Sequence, residues 1–221
     1  MEEEAVPATP AFAVRLDAAL KVRPFISTEE TRYYLNGVLI EASPNGGAHC
    51  VATDGHRMGV SYDADGFVVR SMIVRIPAII KPERGLFLRP WLVGMLTDGG
   101  NGYIAVVEGK KTDERDDDAQ YAIERVEDCS LRVGRSFIDG NYPDWRRVIP
   151  EAKPTDAVRA FNKKYLTAFG DYVQFQGGDE AAPQIVLTDD KDFIGVLMPT
   201  RPQRKGMPDW LNPAKPEQAA A

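Results

Sequence analysis

The apolar residues of this chain change their spacing several times, and the changes divide it into short units. Ala11 to Val14 reads as extended, and Phe12, Leu16, Ala19 and Leu20 then share one face at helical spacing. Pro24 ends that helix because it cannot continue an i to i−4 ladder. Tyr33 to Glu41, Ala48 to Ala52 and Met58 to Tyr62 follow as strands. A second unit opens with SMIVRIP (71–77), a strand by its β-branched alternation. Leu88, Trp91, Leu92, Met95 and Leu96 make the next stripe at helical spacing. Pro90 suits its first turn and Gly99-Gly100 its end, so a helix is predicted there. GYIAVVEG, QYAIERVE and CSLRVGRSF read as strands, with the charge run KKTDERDDD (110–118) as a solvated hairpin loop.

A third, shorter unit begins with DAVRAF (156–161) as a strand. Asn162 is placed to cap a helix carrying Tyr165, Leu166 and Phe169, and Gly170 to end it. QIVLTD and FIGVLMP complete the unit as strands. The fold class is therefore α+β, built from about three strand-helix-strand units that must stack on one another to bury their apolar faces. The expected divisions are a disordered leader over 1–9, one domain over 10–150, a half-domain over 151–201 and a flexible tail over 202–221.

Composition narrows the function classes. The chain has 221 residues and is 43% hydrophobic, which suits one large or two small globular domains. No apolar run reaches the ~18 residues that cross a bilayer. The acidic start MEEEAVPATP lacks the form of a signal peptide, so a cytoplasmic protein is expected. Cys50 and Cys129 are expected as reduced thiols. With two histidines and no paired Cys/His spacing, a zinc site is not expected. The net charge of −6 argues against a simple nucleic-acid binder but permits a protein whose basic residues are segregated on one surface.

The densest motif is Thr53-Asp54-Gly55-His56-Arg57. Read locally, it is a tight turn between strands, since Asp-Gly supports a hairpin. An acid/base reading of Asp54 and His56 would need a nucleophile or metal, and no other block supplies one. VATDGHRM (51–58), with RYYLNG (32–37) before it and FIDGNYPDWRRVIP (137–150) after it, resembles the middle domain of the bacterial sliding clamp, the β subunit of the replicative polymerase, over about residues 10–150. VLMPTR (196–201) resembles the C-terminal strand of that family. The chain then looks like a shortened clamp, without a first domain and part of a last.

The resemblance implies a non-enzymatic DNA sliding clamp or clamp-like processivity factor that surrounds duplex DNA without reading sequence and tethers a polymerase. The alternative is a clamp-like module that binds the same peptides without encircling DNA. It also implies a groove for short peptides of polymerases and clamp loaders. The matching groove positions are Leu35, then Thr53, Gly55, His56, Arg57 and Met58, then Pro143, Arg147 and Val148, then Val196, Met198, Pro199, Thr200 and Arg201. Methionine stands at 58 where leucine is common, and Thr200 where an apolar side chain is usual. DNA contacts are expected from basic residues on or beside the helices: Arg15, Lys21, Arg23, Lys81, Arg84, Arg89, Lys163 and Lys164. Arg32, Tyr33 and Tyr34 fall where the family has a loop able to touch DNA, although the tyrosines also suit a core or an interface. No Walker-type loop is present, so no nucleotide cofactor is expected. Counting units suggests a homo-oligomeric ring, with a tetramer favoured. The segment MPDWL (207–211) has the look of a docking peptide within the tail.

Overall fold

A computed structural model describes residues 8–81, 89–97, 101–109, 118–150, 159–177 and 181–200. In chain order its elements are β1 (Thr9–Arg15), α1 (Leu16–Val22), β2 (Val38–Ala42), β3 (Ala48–Thr53), β4 (Arg57–Asp63), β5 (Phe67–Val68), β6 (Met72–Val74), β7 (Trp91–Leu96), β8 (Gly102–Val107), α2 (Ala119–Glu124), β9 (Leu131–Gly134), β10 (Phe137–Ile138), α3 (Lys163–Leu166), β11 (Gln174–Gly177), β12 (Gln184–Leu187) and β13 (Phe193–Leu197). They form a five-stranded sheet, β5-β1-β7-β8-β9, and an eight-stranded sheet, β10-β6-β2-β3-β4-β13-β12-β11. All the pairings are antiparallel.

The main core lies between the two sheets. Phe12 and Val14 of β1, Leu92 of β7 and Ile104 of β8 meet Val38 and Ile40 of β2 and Cys50 and Ala52 of β3, with Leu16, Ala19 and Val22 of α1 between them. The larger sheet is also apolar on its outer face, where Leu39, Val51, Met58, Val60, Ile73, Val196 and Trp145 cluster. Two-sided burial goes with the run of apolar residues that opens β2, and most residues of β3 and β4 are buried as well.

The third unit joins the first as an extension of the same sheet, because β13 pairs with β4. Gly59 and Gly195 sit opposite each other in that pair. A Cβ on Gly59 would lie 2.7 Å from the Phe25 ring, and one on Gly195 would lie 2.1 Å from the Phe169 ring. The two glycines thus give room for Phe25, Phe169 and Phe193 to pack over the junction in tilted pairs, with centroids 4.9 and 5.8 Å from Phe25.

Two predicted elements of the second unit exchange character. The helix expected around 88–98 is strand β7 over its described part. Trp91, Val93 and Met95 face a second core and Leu92 faces the main one, so both faces are apolar. A strand buried on both sides also fills the positions i, i+3, i+4 and i+7, so the stripe was ambiguous. Conversely, the strand expected over QYAIERVE begins as helix α2. Asp118 caps it by accepting from the Tyr121 N–H (3.0 Å), and Ala119, Ala122 and Val126 bury one side against β7 and β8. Tyr33 to Leu35, expected in a strand, belong to a 3-10 segment, Glu30–Leu35, ahead of β2. The predicted cap on the third helix is in place, with Asn162 Oδ1 accepting from the Lys164 N–H at 3.0 Å. The expected leader (apart from Ala8 and Thr9), most of the charge run at 110–118, the 151–155 linker and the tail lie outside the described residues.

Candidate functional site

At one end of the outer face of the larger sheet lies a cavity of about 290 Å³. Its floor is Met58 of β4 and Val196 of β13, and Leu35, Val148 and Met198 rise around them. Leu35, Met58 and Val196 are buried, whereas Val148 and Met198 are 46% and 39% exposed. The site therefore offers apolar surface to solvent with a firm base beneath it.

The turn that forms one wall is held by its own side chains. Asp54 Oδ1 accepts from the N–H groups of His56 and Arg57, each at 3.0 Å, and its Oδ2 accepts from Arg57 Nε at 3.0 Å. The Thr53 hydroxyl donates to the Arg57 carbonyl (2.9 Å) and accepts from the Gly55 N–H (3.1 Å). Gly55 has φ of +85°, the left-handed region that favours glycine. Asp54 is thus a structural acceptor, which accounts for the carboxylate without catalysis. The third unit buttresses the same turn. The His56 ring stacks on Tyr165 (5.2 Å, 13°), the His56 carbonyl accepts from the Met198 N–H (2.9 Å), and Arg57 Nη1 donates to the Tyr165 carbonyl (3.4 Å), while on the first unit's side Arg57 Nη2 donates to the Pro24 carbonyl (2.9 Å).

The opposite wall is the segment 142–149, with a 3-10 turn at Trp145–Val148. Trp145 is buried over the sheet, and its Nε1–H donates to Glu41 Oε1 at 3.0 Å. Arg146 reaches the same carboxylate oxygen at 2.6 Å and lies over the Trp145 ring. His49 meets Trp145 edge to face at 5.6 Å. Burial, together with the nearby Arg146 charge, holds the His49 imidazole below its ordinary pKa against the opposing pull of Glu41.

Of the groove positions named from the sequence, the cavity brings together Leu35, Thr53, Gly55, His56, Arg57, Met58, Pro143, Val148, Val196 and Met198. Arg147, Pro199 and Thr200 do not line it, and Arg201 lies outside the described residues. Thr200 instead pairs with Ala160, whose carbonyl accepts from its N–H at 2.8 Å and lies 3.2 Å from its hydroxyl. Four lining residues were not assigned to the groove: Arg32, Tyr34, Asp144 and Trp145. Arg32 and Tyr34 are two of the residues that the sequence assigns to a DNA-touching loop. The Arg32 guanidinium passes close to Gly55, within 2.9 Å of where a Cβ would sit there.

The expected DNA contacts are not brought together in the same way. Arg15 is a correction: it is only 6% exposed, its guanidinium lies 4.0 Å over the Trp91 ring, and its Nη1 donates to the Arg89 carbonyl at 2.9 Å. Lys21 pairs with Asp190 at 2.7 Å, and Arg23 donates to the Ile80 carbonyl. Tyr33, Lys81, Arg89, Lys163 and Lys164 are exposed, and Arg84 lies outside the described residues. Among the described residues no group of three or more His, Cys, Asp and Glu side chains could hold a metal ion. No helix among them is long and apolar enough to cross a membrane. Cys50 and Cys129 are free thiols, and burial pushes the Cys50 pKa up.

A family model for the DNA polymerase III beta subunit, central domain, matches residues 17–86, which include the 53–58 wall of the groove. The beta sliding clamp of Caulobacter vibrioides is 32% identical over 133 residues, covering 59% of this chain and 31% of that protein. Part of this chain is thus similar to the bacterial DNA polymerase III beta subunit. The beta sliding clamp of Pseudomonas aeruginosa is 30% identical over 131 residues, covering 57% of this clamp-like chain and 29% of the relative. These matches span about a third of the relatives' own length. In solved structures, a sliding clamp from Bartonella birtlesii shares the fold at a TM-score of 0.60 and 18% identity, over 90% of this chain and 68% of that one. The Pseudomonas aeruginosa clamp does so at 0.55 and 17%, over 88% and 68%. The clamp fold therefore extends well beyond the stretch that sequence similarity detects.

Proposed function

We propose that this chain is a non-enzymatic, clamp-like processivity factor acting in the cytoplasm, which captures a short apolar peptide of a polymerase or clamp loader in the groove and holds that partner at duplex DNA. The observation that carries the reading is the cavity itself, in which ten positions from four separate stretches of the chain gather around one apolar floor. Leucine and aromatic anchors entering such a pocket supply most of the affinity of a short peptide, and methionines at 58 and 198 adapt to varied anchors. Tethering then raises the polymerase concentration at the primer end without any chemistry by the clamp.

The test is anisotropy titration of a labelled peptide carrying adjacent leucine and phenylalanine. Binding by the full chain, weakened by Met198→Ala and by His56→Ala, supports the groove. Absence of binding, even with Trp210 and Leu211 both replaced by alanine, overturns it.

Encirclement of DNA is the second half of the proposal. A closed ring would be retained on circular DNA and lost when that DNA is cut. The tetramer suggested by counting units has weaker support, since the second unit has a strand where its helix was expected. A non-encircling peptide-binding module is the competing reading. It is favoured by the internal engagement of Arg15, Lys21 and Arg23. Light scattering over a dilution series separates the two: a stable oligomer supports the ring, and a monomer throughout supports the module.

A further inference from the structure

We infer that the groove's resident occupant is the chain's own segment 207–211, Met-Pro-Asp-Trp-Leu, folded back in cis; this rests on the groove reading. The described chain leaves the site from within it. Met198 lines the cavity, and two residues later Thr200 is pinned to Ala160. The tether therefore starts from a fixed point beside the groove. Residues 201–206 separate Thr200 from Met207, and six extended residues reach about 20 Å. Two residues past Met198 the chain is at most about 7 Å from that rim, so the return has slack.

The chemistry matches at both ends. Val148 and Met198 present apolar surface that water covers poorly. In 201–221, Trp210 is the sole aromatic residue and Leu211 the sole leucine, and they are adjacent. Asp209 precedes them, and the half-exposed Arg32 guanidinium, which pairs through Nε with Glu29 at 3.4 Å, lines the groove. A large aromatic beside a leucine is the kind of anchor pair an apolar pocket of this form holds best.

Tethering makes weak contacts sufficient. A short linker gives an effective concentration of about 1 mM, so a tail with an intrinsic Kd of about 0.1 mM fills the groove about nine-tenths of the time. An incoming peptide must then displace it, and its apparent affinity falls about tenfold. The tail thereby sets a threshold that only well-anchored partners cross.

The probe is a fluorescein-labelled synthetic peptide with the sequence of residues 205–213. It is titrated against the full chain, the full-length Trp210→Ala/Leu211→Ala variant, and that variant with Met198→Asp added. About tenfold tighter binding to the double variant than to wild type, abolished by Met198→Asp, is the expected result. Equal affinity for wild type and double variant, or no binding to any of the three, overturns self-occupancy. In those cases the leucine-phenylalanine peptide decides the groove separately: if it still binds in a Met198-dependent way, only the tail assignment falls. A wild type that is dimeric at the working concentration, with a monomeric double variant, also overturns the cis arrangement and gives the site to a second copy's tail.

Discussion

The apolar groove and the helix side of this molecule hold residues of similar sequence prominence, yet the structure treats them differently. In the groove, positions from four separate stretches converge on a cavity of about 290 Å³. On the helix side, the basic residues of the first unit are engaged by other groups of the protein: Arg15 over the Trp91 ring, Lys21 with Asp190, Arg23 with a backbone carbonyl. An apolar residue beside a glycine turn has few ways to be buried, so its neighbourhood follows from pattern. A lysine or arginine has a long reach and can satisfy its charge on many partners, so its role depends on contacts the linear chain does not reveal.

The sharpest break of this comparison is expected at Trp145. Trp145→Ala removes a buried indole and its bond to Glu41, and is expected to cost about 3 kcal/mol in denaturant unfolding as well as the peptide site. An unchanged midpoint would show that the 142–149 wall is not held by this residue. Next, Arg15→Ala is expected to destabilise the fold by about 2 kcal/mol, because it empties a buried cation–π contact and leaves the Arg89 carbonyl without its donor. Its salt-dependence of DNA binding should stay that of wild type. A large loss of DNA affinity at unchanged stability would reverse the assignment.

In the Trp210→Ala/Leu211→Ala background, where the tail does not compete, Met198→Ala is expected to lower peptide affinity about tenfold, or roughly 1.4 kcal/mol, with an unfolding midpoint close to that background because the side chain is 39% exposed. Lys163→Ala should change stability by less than about 0.5 kcal/mol. If that lysine touches a phosphate, the slope of log affinity against log salt should fall by about 0.9.

The smallest expected effect is at His49. Its pKa lies below the ordinary imidazole value of 6.5 because burial disfavours the charged form. The stability gained from keeping it neutral is fully present above pH 6.5 and is lost as pH falls through the lower folded value. Acidification from pH 7 to 5 should therefore lower the melting temperature more in wild type than in His49→Asn. Equal losses would show that His49 does not titrate against the Trp145 wall.

These contrasts also mark how far the residues could be read in advance. The 53–57 turn, the Asn162 cap and the strands β2, β3, β4, β6, β12 and β13 are legible from local pattern, whereas β11 is not anticipated and the strand expected over 156–161 makes only the Ala160–Thr200 bridge in its described part. β7 and α2 are not legible in this way, because WLVGML is apolar on both faces and AQYAIE buries its helix through two small alanines, Ala119 and Ala122, rather than a large apolar stripe. Trp145 was legible as part of a wall segment but not as a lining residue, since its place depends on Glu41 and His49 across the sheet. Thr200, chosen for its position at the strand end, turns instead to Ala160.

The most direct measurement of the central claim is a methyl-resolved NMR titration of the full chain with the leucine-phenylalanine peptide. Shifts concentrated on Leu35, Met58, Val148, Val196 and Met198, with the core methyls of Val38 and Leu92 still, are the expected result. Saturable binding that leaves those five residues unmoved and perturbs methyls elsewhere would contradict the groove as the binding site.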